Sequence, residues 1–296
     1  MTLALPSPDS IARAVLVSSR PLSWVNTAYP FAAAYVLASR SLDWRLLVGT
    51  LFFLVPYNAA MYGTNDVFDY ESDLRNPRKG GVEGAVLDPS LHRQTLWLAW
   101  GSCVPFVALL VIGGSAASWA VLALSLFAVA AYSVPGLRFK ERPVLDSLTS
   151  SAHFVSPAVY GLALAGVRPS GGALAVLAAF FAWGVASHAF GAVQDIAPDR
   201  EAGIASIATL FGAGATVRFA VVCYLAAGTL LLLGAEGLGR LAGLLALPYA
   251  ANVLPYVWAA DADAHRTRAG WRRFLWLNYL TGFAVTLVLI AVVAGL

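Results

Sequence analysis

Charge is scarce in this chain. Of 296 residues only 12% are Asp, Glu, Lys or Arg, against roughly 25% in an ordinary soluble domain, while 59% are hydrophobic. So few polar groups cannot cover a water-facing surface, which excludes an ordinary soluble globular domain. Cysteine is scarcer still. Cys103 and Cys223 are the only two, and both lie inside apolar runs. That spacing suggests neither a disulfide nor thiolate metal chemistry, and both read as small buried hydrophobes. His92, His153, His188 and His265 lack mutual metal-ligand spacing and read as ordinary polar contacts. A glycine-rich phosphate loop is missing too, and Gly80-Gly81 serves to let a loop turn. The first 20 residues carry no short apolar core ahead of a small-residue cleavage site, so no removed signal peptide is expected.

What the chain has instead is apolar length. Runs of about 20 residues, each enough to cross a hydrocarbon core as a helix, fall near 21–40, 46–65, 95–113, 116–134, 146–165, 172–193, 211–234, 240–259 and 274–295. They predict an all-α polytopic membrane protein of nine spans in a single domain, 1–296. Nine spans put the termini on opposite sides. Only four of the nineteen Lys and Arg (Arg40, Arg45, Arg168 and Arg240) fall on the side away from the N-terminus. By the positive-inside rule the N-terminus is cytoplasmic and the C-terminus outside. The net charge of +3 then reflects topology and some attraction to anionic lipid, and no nucleic-acid partner is expected.

Nearly all the polar chemistry gathers on the cytoplasmic side. Two segments, residues 64–73 and 193–201, begin while the chain is still leaving an apolar helix. At about 100° per residue, Asp66, Asp69 and Asp73 share one face of an extended second helix, and Asp195 and Asp199 share another. Carboxylates stacked at a helix C-terminus repel one another and oppose the macrodipole, so a cation should offset the cost. Each segment opens with a carboxamide beside an aspartate, Asn65-Asp66 and Gln194-Asp195. Each also follows the second span of a four-span block. The reading is a weak parallel repeat, 20–135 and 145–260, with a final helix 274–295, that brings the clusters face to face. Residues 132–143 add Arg138, Lys140 and Arg142, and the first motif is followed by Arg75, Arg78 and Lys79.

Carboxylates on facing helices with Lys and Arg nearby are what a magnesium-bridged diphosphate requires. Mg2+ keeps several waters and is usually held by a few carboxylates together with substrate phosphates, and basic side chains neutralise the remaining phosphate oxygens. Diphosphate then becomes a good leaving group, and a water-poor site lets the carbocation meet an acceptor. Each feature also has a plainer reading. Acidic residues at a membrane boundary serve proton and ion pathways as well, so a cation-coupled transporter is the rival from another class. Against it stand the accompanying phosphate-type cations and the lack of evident discontinuous midspan helices. Arg266, Arg268, Arg272 and Arg273 need be no more than topology determinants. Trp24, Tyr29, Phe52, Phe53, Tyr57, Tyr62 and Phe68 can shield a cation with their ring faces or simply pack. Asn26 and Asn58 can line a cavity or bond between helices.

The Asn65-Asp66-x-x-Asp69-x-x-x-Asp73 and Asp195-x-x-x-Asp199 segments, the Tyr132-Ser133-x-Pro135 stretch ending in Lys140, and Arg20-Pro21 at the opening of the first span resemble the UbiA superfamily of intramembrane prenyltransferases. The resemblance covers nearly the whole chain. It implies a nine-helix bundle with a cytoplasm-side cap and two Mg2+ ions held between the motifs. It also implies metal binding by Asp66, Asp69, Asp73, Asp195 and Asp199, and diphosphate binding by Asn65, Arg78, Tyr132, Arg138 and Lys140. The sequence has Pro135-Gly136 where relatives often have two prolines. Within the superfamily, residues 19–30 and 73–81 look most like bacterial lycopene elongases. That implies a dimethylallyl diphosphate donor, lycopene as a polyene acceptor from the bilayer, C45 and C50 carotenoid products, and possible partner subunits of the carotenoid pathway. An aromatic or quinone precursor and a chlorophyll-type alcohol are the alternative acceptors.

Overall fold

In the computed structural model the described residues are 8–74 and 86–295, and every regular element among them is helical. The chain divides into two compact units, Met1–Arg138 with Ser156–Val167, and Phe139–Val155 with Arg168–Leu296.

The first unit contains α1 (Pro8–Ser18), α2 (Val25–Ser39), α3 (Trp44–Leu54), α4 (Pro56–Phe68), α5 (Tyr70–Asp73), α6 (His92–Ile112) and α7 (Ala116–Ser133), with the last residues of α8 (Leu145–Leu164). The apolar stretch Trp44–Phe68 makes one span of 25 residues that is interrupted at Val55. Pro56 lacks an N–H and its ring crowds the preceding turn, which breaks the ladder there. Polar side chains satisfy the carbonyls at the break. Thr27 Oγ1 and Asn58 Nδ2 both donate to the Phe53 carbonyl at 2.7 Å, and Asn58 also donates to Leu54 O at 3.1 Å and to Thr27 Oγ1 at 2.7 Å. Asn58 is therefore a bond between α4 and α2, whereas Asn26 is exposed. The core below it is aromatic. Phe31, Tyr35, Phe52, Phe53, Tyr57 and Tyr160 are fully buried, with ring centroids 4.9 to 6.0 Å apart. Gly161 lets α8 lie against α2, since a Cβ there would stand 2.8 Å from Phe31 O and 3.0 Å from Tyr35 N.

The second unit holds the start of α8, then α9 (Gly171–Val193), α10 (Ile196–Glu201), α11 (Ile207–Phe211), α12 (Ala213–Gly234), a 3-10 stretch Gly237–Leu245, α13 (Ala246–Val253) and α14 (Arg268–Ala294). Helices α9 and α12 pack along each other over a core that includes Phe190, Val193, Val217, Tyr224, Tyr249 and Phe274. Asp261 ties the edge of this unit, accepting from Ala213 N at 2.7 Å and from Arg200 at 2.7 Å.

Seven helical stretches among the described residues are long and apolar enough to cross a membrane. The two further apolar runs in the sequence correspond to α2, with 15 residues, and α8, with 20. Helix α2 is short for a span, and α8 carries buried Asp146 and His153 along its length.

Candidate active site

The first acidic motif lies where α4 ends. Asp66, Asp69 and Asp73 are buried, at 0%, 6% and 6% exposure. Burying three carboxylates is costly unless donors and cations compensate, and the first unit supplies them at Asp66 and Asp69. Arg20 Nη2 donates to Asp66 at 2.9 Å while its guanidinium lies 4.2 Å from the centre of the Tyr62 ring. Asn65 Nδ2 donates to Asp69 at 2.8 Å. Arg138 Nη2 donates to Phe68 O at 2.8 Å and stands 3.5 Å from Asp69 Oδ1. Both arginines have left-handed backbones, with φ of 52° at Arg20 and 41° at Arg138. Such conformations cost energy in residues other than glycine and gather where a side chain must be aimed. Tyr132 and Asn65 are partly buried, and Ser133 Oγ lies 3.5 Å from Asn65 Oδ1.

The single extended helix expected through these aspartates is interrupted. Asp69 sits at φ −101°, ψ 0°, between α4 and α5, although Asp69 N still bonds Asn65 O at 2.9 Å and Asp73 N bonds Asp69 O at 2.8 Å. The second motif repeats this local geometry within the other unit. Asp195 sits at φ −100°, ψ 2°, between α9 and α10, and Asp199 N bonds Asp195 O at 2.8 Å. The matching backbone pairs Asp69 with Asp195 and Asp73 with Asp199. Asp195 and Asp199 are both partly exposed, and Ser206 Oγ lies 3.5 Å from Asp199 Oδ2. Lys140 is partly buried in the 3-10 turn Phe139–Glu141. Arg78, with Arg75, Lys79, Gly80 and Gly81, lies outside the described residues.

Arg20 escapes a reading of the residues alone and enters only through the family resemblance. Its partner is 46 positions away in the chain, and no local periodicity links them. The aromatic residues divide. Phe52, Phe53 and Tyr57 are core packing at 0% exposure, whereas Tyr62 lies against Arg20 beside the acidic motif.

Among the described residues no three His, Cys, Asp or Glu side chains converge into a ready-made metal cage. Mg2+ does not need one. The ion takes oxygen ligands, retains waters and shares substrate phosphates, and the buried carboxylates at residues 66, 69 and 73 offer the hard, anionic oxygens it prefers.

Residues 27–294 match the UbiA prenyltransferase family, and the chain belongs to that family. With its apolar helices, it is a multi-pass membrane protein. It is 56% identical over 285 residues to the C(50) beta-cyclic carotenoids biosynthesis protein LbtBC of Dietzia sp. (strain CQ4). That alignment covers 96% of this chain and 66% of the Dietzia protein, just under two thirds of the longer relative. It is 50% identical over 280 residues to a lycopene elongase/hydratase of Corynebacterium glutamicum, covering 95% of this chain and 97% of that one. A UbiA homolog from Archaeoglobus fulgidus, solved bound to DMAPP and Mg2+, shares the fold, with a TM-score of 0.66 at 19% identity over 90% of this chain and 98% of that one.

Proposed function

We propose that this protein transfers a dimethylallyl group from dimethylallyl diphosphate to lycopene in a magnesium-dependent reaction, giving C45 and then C50 carotenoids. The observation that carries the reading is the near full-length identity of 50% to a lycopene elongase/hydratase, in a chain whose first unit encloses three buried aspartates beside two arginines.

Asp66, Asp69, Asp73, Asp195 and Asp199 would hold Mg2+, as two ions, and the second motif repeats the local backbone geometry of the first. Bound there, magnesium neutralises the diphosphate and makes it a leaving group. Asn65, Tyr132, Arg138, Lys140 and Arg78 are the proposed diphosphate residues. As the carbon–oxygen bond of the donor breaks, the charge that develops on the diphosphate is met by these donors, and a terminal double bond of the acceptor captures the allylic cation.

The nine-span topology, with a cytoplasmic N-terminus and site in a bacterial cell membrane and an external C-terminus, belongs to the same proposal. So does the internal repeat, which the shared backbone geometry of Asp69 and Asp195 supports. The test is expression in a lycopene-accumulating bacterial host, with extracted carotenoids followed by mass. Successive C45 and C50 species are expected. Unchanged lycopene, with the protein present in the membrane, would point instead to an aromatic acceptor or a missing partner subunit.

A further inference from the structure

A second polar cluster lies inside the second unit and adjoins its acidic motif, since Asp146 bonds Ile207 N and the preceding Ser206 meets Asp199. Asp146 and Ser147, at the start of α8, are both at 0% exposure. Asp146 accepts from Ser147 N at 2.7 Å and from Ile207 N at 2.8 Å, which fastens the first turn of α8 to the first residue of α11. Ser147 Oγ is 3.0 Å from His188 Nδ1 on α9, and the Asp146 carboxylate also acts electrostatically on that ring. His188 itself is only partly buried.

His188 is the one titratable side chain between Gly171 and Val193. It precedes Asp195, which lies just past the end of α9, by seven residues, about two turns and roughly 10 Å of helix rise, so periodicity brings the two near one side. The metal–oxygen distance and a five-carbon chain together span a similar length. A donor whose diphosphate is anchored at Asp195 would thus bring its reacting carbons to about the depth of this imidazole. Its neighbours along the helix, Ala186, Ala189 and Phe190, are buried and apolar, and water is scarce in such surroundings.

Resting on the prenyl-transfer reading above, we infer that His188 is the base that ends the reaction, held in place by Ser147 with Asp146 behind it. The π pair of the acceptor forms the new carbon–carbon bond, and the carbon–oxygen pair of the donor leaves with diphosphate. A tertiary carbocation remains on the acceptor. With Nδ1–H donating to Ser147 Oγ, Nε2 of His188 carries the lone pair, and it takes a proton from a carbon next to the cation. The carbon–hydrogen pair becomes the new double bond, and the imidazolium is stabilised by the Asp146 carboxylate. His188 is the catalytic residue here; Ser147 and Asp146 position it.

The experiment uses the full chain with dimethylallyl diphosphate, Mg2+ and lycopene, and measures diphosphate release and carotenoid products separately. His188→Gln and His188→Asn are expected to keep magnesium-dependent diphosphate release near that of the unmodified protein. Alkene formation should fall about 100-fold or more, the usual scale for loss of a general base, with hydrated product in its place. Ser147→Ala should move the alkene-to-alcohol ratio in the same direction by less. Alkene formation at the unmodified rate in both His188 variants overturns the assignment. So does loss of diphosphate release together with alkene, which marks a structural role, and so does an unmodified protein that makes only alcohol. An unmodified protein that releases no diphosphate with magnesium removes the prenyl-transfer reading itself, and this inference with it.

Discussion

Asp66 is fully buried and Arg20 is its 2.9 Å ion partner at 18% exposure. Breaking a buried pair from one side costs roughly 3 to 5 kcal/mol, so Arg20→Met should lower the unfolding temperature of the purified protein. Magnesium with a diphosphate, bound only by the folded state, should restore part of that loss by linkage. An equal loss with and without the two ligands would separate Arg20 from the metal site. Asp66→Ala and Asp195→Ala, if correctly inserted, should each reduce transfer by about 100-fold or more, because metal-borne charge stabilisation is worth several kcal/mol. Retained magnesium-dependent activity in either variant would remove that aspartate from the metal site. Asp43, in the turn before α3, gives a pH signature of another kind. Burial alone would raise its pKa, but hydrogen bonds from Arg45, Tyr35 and Leu46 N outweigh burial and hold it below the usual carboxylate range. The stability it adds is therefore complete above the ordinary carboxylate pKa of about 4 and is lost as pH falls through the lower native value. Asp43→Asn should cost stability at neutral pH, with the two thermal midpoints converging as the pH falls below the ordinary carboxylate range.

At the scale of elements, the break before Pro56 is held together by Asn58 and Thr27. Asn58→Leu leaves the Phe53 and Leu54 carbonyls with fewer donors, at a cost of about 1 to 3 kcal/mol, read as a lower thermal midpoint in detergent. Gly161→Leu should be worse than Gly161→Ala, because the atoms in the way belong to the α2 backbone. The spans themselves were legible in the sequence. The runs 172–193 and 116–134 lie within a residue of α9 and α7, since twenty apolar residues leave a membrane chain little choice but helix. The interruption at Asp69 was not legible. It leaves the i to i−4 bonds on either side intact, so hydrophobic spacing carries no mark of it. The site was half legible: spacing picked out the aspartates, but Arg20 meets Asp66 only through the packing of α1 against α4, and Ser147 meets His188 across 41 positions.

For the whole molecule, the orientation is open to a direct measurement. Cys103 and Cys223 are the only native thiols and both lie in apolar helices, so they can be replaced to leave a clean background. A cysteine introduced at exposed Val167, between α8 and α9, should then react with an impermeant reagent on intact cells, and one at exposed Glu201 only after the membrane is opened. The reverse pattern would invert the topology. Helix α14 carries a different message. Its 27 residues rise about 40 Å, longer than the roughly 30 Å hydrocarbon layer, and Gly270, Phe274 and Thr281 are its only buried residues. Beyond Thr281 none of its side chains is fully buried, and Phe283, Leu287, Ile290 and Val293 are exposed, so one flank of its last turns is solvated by the bilayer itself. The choice of detergent should therefore govern how intact the C-terminal end remains after extraction, and a nanodisc of matching thickness is the preparation in which it should stay whole.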